Sequence, residues 1–402
     1  RFNELNQFAY SARATGGVSS VFQKVITYTG GMMPTPADYQ IVTQMGDLYS
    51  GLQDSTGPSG DETVGNSIGS IHILNNGSIG AQDSTIQNIS SLRRPAIFYD
   101  RQSFLQRGVS TVVGLGGAGA FLIKNLSANS FYTSPDGTSW IARGQIETGG
   151  TTNDDVLILD GEVVLQEGSE IGTSGVFVGT IVVADITASR DWYARGAIAG
   201  GGQWAVVNGN VVAKTGDPIV SGRGVENWGT TFLSLNMNNN GDWLLVGTTD
   251  SADPAADTVM VLNGETVLVR EGDSVDLPGF KSPVLIGRGN LTSSAFEPND
   301  SIITDDRQVY FFANLHDGMG NDYNSDPAFG TPQAFMRLDA GGGAPCPGDT
   351  NGDNVVNFTD LNTVLADFGM SGAGLAGDVN GDEIVDFSDL NIVLSNFGTT
   401  CK

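Results

Sequence analysis

The 402-residue sequence has few basic residues, few histidines and few cysteines. Its 19 Lys and Arg residues oppose 45 Asp and Glu, so the formal net charge is −26 and we expect no nucleic-acid partner. The two histidines, His72 and His316, stand in no HExxH or GxSxG context, so neither predicts metal-dependent or nucleophilic hydrolysis. No run of 18 apolar residues exists, so we expect no membrane insertion.

An acidic pattern occurs twice near the C-terminus, as DTNGDNVVNFTDLNTVLADF (349–368) and DVNGDEIVDFSDLNIVLSNF (378–397). In each copy, oxygen-bearing side chains occupy positions 1, 3, 5, 9 and 12 of an EF-hand-type loop, and the backbone carbonyl at position 7 adds another oxygen. Ca²⁺ takes six to eight oxygen ligands, so the spacing predicts two Ca²⁺ ions. The predicted ligands are Asp349, Asn351, Asp353, Val355, Asn357 and Asp360, and Asp378, Asn380, Asp382, Ile384, Asp386 and Asp389.

The loops depart from an ordinary EF-hand in three ways. Position 12 is Asp instead of Glu, position 6 is Asn354 or Glu383 instead of Gly, and the preceding GGGAPCPG and SGAGLAG segments predict no entering helix. Each loop is followed by apolar residues at i, i+3, i+4 and i+7, which predicts an exit helix. A duplicated loop and exit helix resembles the type I dockerin domain.

That resemblance covers the last 55 or so residues, and it implies a docking surface. In the dockerin family, loop positions 10 and 11 and the adjoining helix face contact a cohesin-type receptor. The corresponding residues are Phe358 and Thr359 in the first copy and Phe387 and Ser388 in the second. The hydroxyl residues fit the family pattern, whereas Phe is more hydrophobic than the Ser or Thr common at position 10. The resemblance therefore implies protein–protein attachment without identifying the receptor.

The two cysteines, Cys346 and Cys401, bracket this acidic segment. Their placement at both ends of one small domain predicts a disulfide, which would stabilise the domain by roughly 3–4 kcal/mol in the chain-entropy model. A disulfide and calcium loops together predict an extracellular or cell-surface location. The chain opens RFNELNQF, so we expect that any signal peptide has been removed and that Arg1 is a processed or truncated start.

The rest of the chain predicts a repeated β unit. Its clearest copy spans residues 236–280: a strand over 242–248, a variable loop, a strand over 258–262, an Asn263-Gly264 turn and a further strand. Asn-Gly between alternating strands is typical of a hairpin with a type I′ turn. We count five such units, which predict a five-bladed β-propeller-like domain; a pair of β-sandwiches is the alternative. The units also loosely resemble the NxxGxxAF-type repeats of bacterial exported proteins.

The last unit, 307–340, stops where its next strand should begin, so we expect residues 21–34 to supply that strand and close the ring. We expect residues 1–20 to be a short amphipathic helix capping the body, or an arm that contacts a neighbouring subunit. The predicted organisation is an N-terminal segment (1–20), a propeller-like domain (21–340), a linker (341–345) and a dockerin-like domain (346–402).

These features favour a non-enzymatic secreted or cell-surface protein of structural or adhesive function. Its calcium-loaded tail is expected to attach it to a cohesin-like receptor or to neighbouring subunits. Two other classes stay open. A glycosidase needs only two suitably placed carboxylates, and the chain has many. A glycan-binding propeller would need exposed aromatic residues on one rim, for which Tyr323 and Phe329 are the candidate cluster.

Overall fold

The computed structural model describes most of the chain and shows a mainly β protein with two helices near its C-terminus. The described residues are 5, 7–15, 21–28, 39–54, 60–150, 152–220, 226–275, 284–288, 295–319, 321–322, 333–341, 348–351, 355–372, 375–380 and 384–399. Within these ranges the strands form six sheets, numbered here 1 to 6 in chain order.

Sheet 1 contains β1 (Phe8–Thr15), β2 (Val21–Tyr28) and β3 (Tyr39–Gln44), and sheet 2 contains β4 (Ile68–Ile73), β5 (Ile79–Asp83), β6 (Ala96–Tyr99) and β7 (Gln102–Gln106). Sheet 3 contains β8 (Thr111–Val113), β9 (Ala120–Thr133), β10 (Trp140–Ile146), β11 (Asp155–Leu159) and β12 (Glu162–Gln166). Sheet 4 contains β13 (Val178–Ile186), β14 (Trp192–Ile198), β15 (Gln203–Val207) and β16 (Asn210–Lys214). Sheet 5 contains β17 (Trp228–Met237), β18 (Trp243–Thr249), β19 (Thr258–Leu262) and β20 (Thr266–Arg270). Sheet 6 contains β21 (Ser274–Val275), β22 (Val284–Ile286), β23 (Ile302–Ile303), β24 (Gln308–His316) and β25 (Gln333–Asp339).

Sheets 2, 4 and 5 are four-stranded antiparallel meanders, and β9–β12 of sheet 3 follow the same order. The predicted Asn263-Gly264 turn joins β19 to β20, and both residues have positive φ, 54° and 69°. Both angles agree with the predicted type I′ turn, whose two central residues need positive φ. The side chain of Asn263 also accepts a hydrogen bond from the N–H of Trp243 at 2.8 Å, which ties the turn to the neighbouring strand.

The sheets stack in chain order, and a separate apolar core lies between each consecutive pair. Alternate residues of one strand face opposite cores: Tyr193 packs towards sheet 5, whereas Trp192 and Ala194 pack towards sheet 3. Sheets 2 to 5 therefore bury both faces. Strands in such sheets read as near-continuous apolar runs, as in TVMVL of β19, all of which is buried.

The structure corrects two expectations about the N-terminal region. Phe8–Thr15 is a strand, not part of a capping helix, and it pairs along its length with Val21–Tyr28. The other edge of Val21–Tyr28 pairs with Tyr39–Gln44, so this strand has no free edge to offer to sheet 6. The expected closing strand over 21–34 is therefore wrong where the structure describes it, and the described sheets number six instead of five.

One position in the second strand of the four-strand meanders (β5, β10 and β14) crosslinks neighbouring sheets. Gln82 donates to the carbonyl of Ser127, Arg143 to that of Ile181 and Arg195 to that of Phe232. The register of the receiving strand shifts near each of these carbonyls, and such a bulge disrupts the local ladder. A long polar side chain from the preceding sheet thus binds the backbone where the ladder is irregular.

Candidate calcium-binding module

The two predicted exit helices are present, as α1 (Phe358–Asp367) and α2 (Phe387–Ser395). Each begins with a capping box. The Asn357 side chain accepts from the N–H of Thr359 while Asp360 accepts from the N–H of Asn357, and Asp386 and Asp389 repeat this arrangement. Positions 9 and 12 of each loop therefore start the helix as well as being predicted ligands.

The position-12 carboxylates tie the start of each loop to its end. Asp360 has no exposed surface, and its Oδ1 accepts hydrogen bonds from the N–H groups of Thr350 at 2.8 Å and Asn351 at 3.3 Å. Its Oδ2 accepts from the N–H of Asn357 at 2.8 Å. Burial by itself raises the pKa of this carboxyl, but the backbone and Thr350 hydrogen bonds outweigh it and lower the pKa from its usual value. Asp360 is therefore a buried, ionised carboxylate surrounded by N–H dipoles.

Asp389 has the same surroundings in the second copy. It is completely buried, its Oδ1 accepts from the N–H groups of Val379 at 3.0 Å and Asn380 at 3.1 Å, and its Oδ2 accepts from that of Asp386 at 2.9 Å. The sequence duplication therefore extends to hydrogen-bond geometry.

The two copies pack against each other with near twofold symmetry. The backbone after each helix bonds to the other copy: the N–H of Gly398 donates to the carbonyl of Val356, and that of Gly369 to Val385, both at 2.8 Å. The shared core consists of four fully buried valines, Val356, Val364, Val385 and Val393.

The predicted partner-binding residues lie on the surface of this module. Phe358 and Phe387 are 70% and 69% exposed, and Thr359 and Ser388 are also exposed. The Phe358 ring meets that of Phe397 edge-on at 4.9 Å, and a matching aromatic pair, Phe368 and Phe387, lies at 5.1 Å. The structure thus presents two equivalent aromatic pairs at the starts of the two helices.

Only some of the remaining predicted ligands lie in the residues that the structure describes. Asp349, Asn351 and Val355, with Asp378, Asn380 and Ile384, lie in the described stretches of the two loops. Asp353, Asp382 and both predicted disulfide cysteines, Cys346 and Cys401, lie outside the described residues. Within the described ranges, no group of three or more His, Cys, Asp or Glu residues is close enough to hold a metal ion. The donor set fits calcium in kind, because every predicted ligand offers oxygen and the two position-12 carboxylates are buried.

Two features of the structure were not predicted from the sequence. The crosslinking position of the second strand was visible only as the shared Ala-Arg-Gly of WIARGQI and WYARGAI. A basic cavity between sheets 2 and 3 is lined by Arg93 and Arg107, among other residues. Its signal was the crowding of four of the 19 basic residues into 93–107.

Comparisons with known proteins leave the family open. No family model matches the chain, and no curated protein matches it. Among solved structures, a dipeptidyl peptidase 4 from Porphyromonas gingivalis is 9% identical with a TM-score of 0.32; the match covers 85% of this chain and 44% of the peptidase. The Dos1 propeller is 9% identical with a TM-score of 0.29; the match covers 77% of this chain and 74% of the Dos1 propeller chain.

A third structure is PorZ, a surface component of the type-IX secretion system of Porphyromonas gingivalis. It is 13% identical with a TM-score of 0.26, and the match covers 81% of this chain and 44% of PorZ. The chain thus spans less than half of the peptidase and of PorZ, and TM-scores this low establish no common fold. Within the described part of the chain, neither helix has the length and apolar character that crossing a bilayer requires.

Proposed function

We propose that this is a non-enzymatic, exported structural or adhesive protein with a dockerin-like C-terminal module. Loaded with calcium, this module attaches the β body to a cohesin-like receptor or to neighbouring copies of the chain. The observation that carries the proposal is the twofold arrangement of loop, capping box and helix, with Phe358 and Phe387 exposed at equivalent places. Apolar side chains exposed to this extent at both helix starts are typical of a surface that a partner covers.

Calcium would be held by the oxygens of the two loops, with Asp360 and Asp389 as the position-12 ligands. Bound Ca²⁺ supplies positive charge among the acidic side chains of a protein of net charge −26. The chain's own residues orient the docking surface, because the capping boxes link the loop directly to the first turn of the helix that carries Phe358 or Phe387.

We further infer that the six sheets are arranged radially, as in a β-propeller. The β9–β10, β13–β14, β17–β18 and β23–β24 turns, one from each of sheets 3 to 6, are joined along one rim. Arg190 pairs with Asp136 at 3.4 Å, Asn239 accepts from the N–H of Ala188 at 2.8 Å, and the N–H of Asn239 donates to Asp305 at 2.8 Å. Turns that follow one another along a single rim favour a radial arrangement, with β9, β13, β17 and β23 grouped around a common axis.

Light scattering with and without millimolar calcium tests the attachment function. We expect calcium to increase the mass of the full chain, and Phe358→Ser/Phe387→Ser to abolish the increase. The matched control is Met319→Ser, which changes a side chain that is 82% exposed outside the module. A calcium-induced increase that survives in the double variant would contradict the proposed surface. Monomers in both conditions would contradict self-assembly and favour a foreign receptor.

A further inference from the structure

A cavity of about 260 Å³ lies where sheets 2 and 3 meet. Leu92 and Arg93 come from a 3₁₀ turn, Ser91–Arg93, before β6, and Arg107 comes from the turn after β7; Ile123 and Lys124 of β9 complete most of the wall. We infer that this cavity binds an anionic sugar unit, carboxylated or sulfated, of a polysaccharide.

The guanidinium groups of the cavity have donors to spare. Arg93 donates through Nη1 to the carbonyl of Gly108, and Arg107 donates through Nη1 to the carbonyls of Ser91 at 3.4 Å and Arg94 at 3.3 Å. All three acceptors are neutral carbonyls, and these bonds use only one of the three nitrogens of each guanidinium. Among the residues that the structure describes, the other N–H donors of Arg93 and Arg107 have no acceptor, so they are available to a ligand.

The charge balance of the cavity depends on these two arginines. Lys124 forms an ion pair with Asp154, and the exposed Glu147 stands on the same wall. Arg93 and Arg107 form no ion pair with any residue that the structure describes. In a chain of net charge −26, two half-buried cations without acidic partners are a local positive site. Guanidinium groups bind planar or tetrahedral oxyanions through paired hydrogen bonds.

The shape of the cavity favours a sugar over a bare anion. One water needs about 10–15 Å³ of such space, so a cavity of about 260 Å³ is larger than a lone carboxylate or sulfate fills. Leu92 is 68% exposed and offers an apolar surface, whereas Glu147 offers a hydrogen-bond acceptor. A sugar ring presents a C–H face and hydroxyl groups, so it matches both walls while its acid group meets the arginines.

Calorimetric titration of the full chain at low ionic strength tests this inference. The probes are a uronic-acid oligosaccharide, a sulfated oligosaccharide, a neutral oligosaccharide of the same length and an oligoglutamate peptide. We expect at least one charged sugar to bind ten times more tightly than the neutral one, and the two charged sugars distinguish carboxylate from sulfate. Equal affinity for the neutral and charged sugars, or preference for the peptide over both charged sugars, would overturn the inference.

Two variants locate the site. Arg107→Gln should weaken binding of the charged sugar at least fivefold, whereas Arg190→Gln, on an exposed arginine of sheet 4, should leave it unchanged. Because Arg107 also holds a turn, Glu147→Gln serves as a second test: it leaves the arginines intact, removes a nearby negative charge, and should strengthen binding two- to fivefold. Unchanged affinity in Glu147→Gln, or equal effects of the two arginine variants, would contradict binding in this cavity.

Discussion

Replacing Arg195 with Met should destabilise the contact between sheets 4 and 5. Arg195 is only 6% exposed and donates to the carbonyls of Phe232 and Leu233, both at 2.9 Å, and to Oδ1 of Asn299 at 2.8 Å. Burial lowers the pKa of its guanidinium below the usual value, so the charge is held at some cost in desolvation. Three hydrogen bonds from a charged group are lost in the variant and part of that desolvation cost is recovered. We therefore expect a net loss of about 2–4 kcal/mol in the free energy of unfolding.

Denaturant unfolding monitored by tryptophan fluorescence measures this loss, because Trp192 and Trp204 in sheet 4 and Trp228 in sheet 5 are buried on either side of the contact. Hydrogen exchange should show faster exchange in Trp228–Met237 and no change in the C-terminal module. The matched control is Arg190→Met. Arg190 is 57% exposed and pairs with Asp136 at 3.4 Å, so its loss should cost below about 1 kcal/mol. Equal stability of the two variants would refute the crosslinking role of Arg195.

Three further predictions concern other parts of the chain. Burial raises the pKa of Glu271 to about 7, with nearby Asp257 adding to the shift. The folded protein therefore holds a proton that the unfolded chain loses above about pH 4.3, so the free energy of unfolding should fall as pH rises from about 4.3 to 7. A Glu271→Gln variant with the same slope would contradict this. Non-reducing mass spectrometry should find Cys346 and Cys401 joined, and two free thiols would disprove the disulfide. Val364→Ala removes buried methyl groups, so it should lower the unfolding free energy of the C-terminal module by about 2 kcal/mol. In calorimetry the unfolding transition of the β sheets should stay unchanged, and a shift of that transition would contradict a separate core.

The sequence predicted local structure well where propensity and packing agree. The strand over 258–262, the turn at Asn263 and Gly264 and the exit helices all occur as expected. Phe8–Thr15 was not predicted as a strand because three alanines, which are depleted in strands, separate its strand-favouring Phe8, Tyr10 and Thr15; pairing with Val21–Tyr28 decides its conformation.

Contacts between sheets could not be predicted. Arg195 bonds to Phe232 and to Asn299, and nothing in the local pattern around any of the three specifies the others. The same holds for the basic cavity, which depends on how the Ser91–Arg93 turn meets β9. In the loops, by contrast, the spacing of carboxylates was enough to predict where each exit helix begins, because Asp360 and Asp389 belong to the capping boxes of α1 and α2; their role as calcium ligands stays a prediction.

Calorimetric titration of the full chain with calcium tests the central claim most directly. We expect two ions to bind, with dissociation constants on the order of 10⁻⁴–10⁻³ M or tighter, as in extracellular loops of this kind. Asp349→Ala and Asp378→Ala should each remove one ion, whereas Asp136→Ala, on a rim turn, should remove none. Two bound ions, reduced to one by either loop variant, is the result that the account predicts. No binding in millimolar calcium, or two ions still bound by either variant, would contradict it.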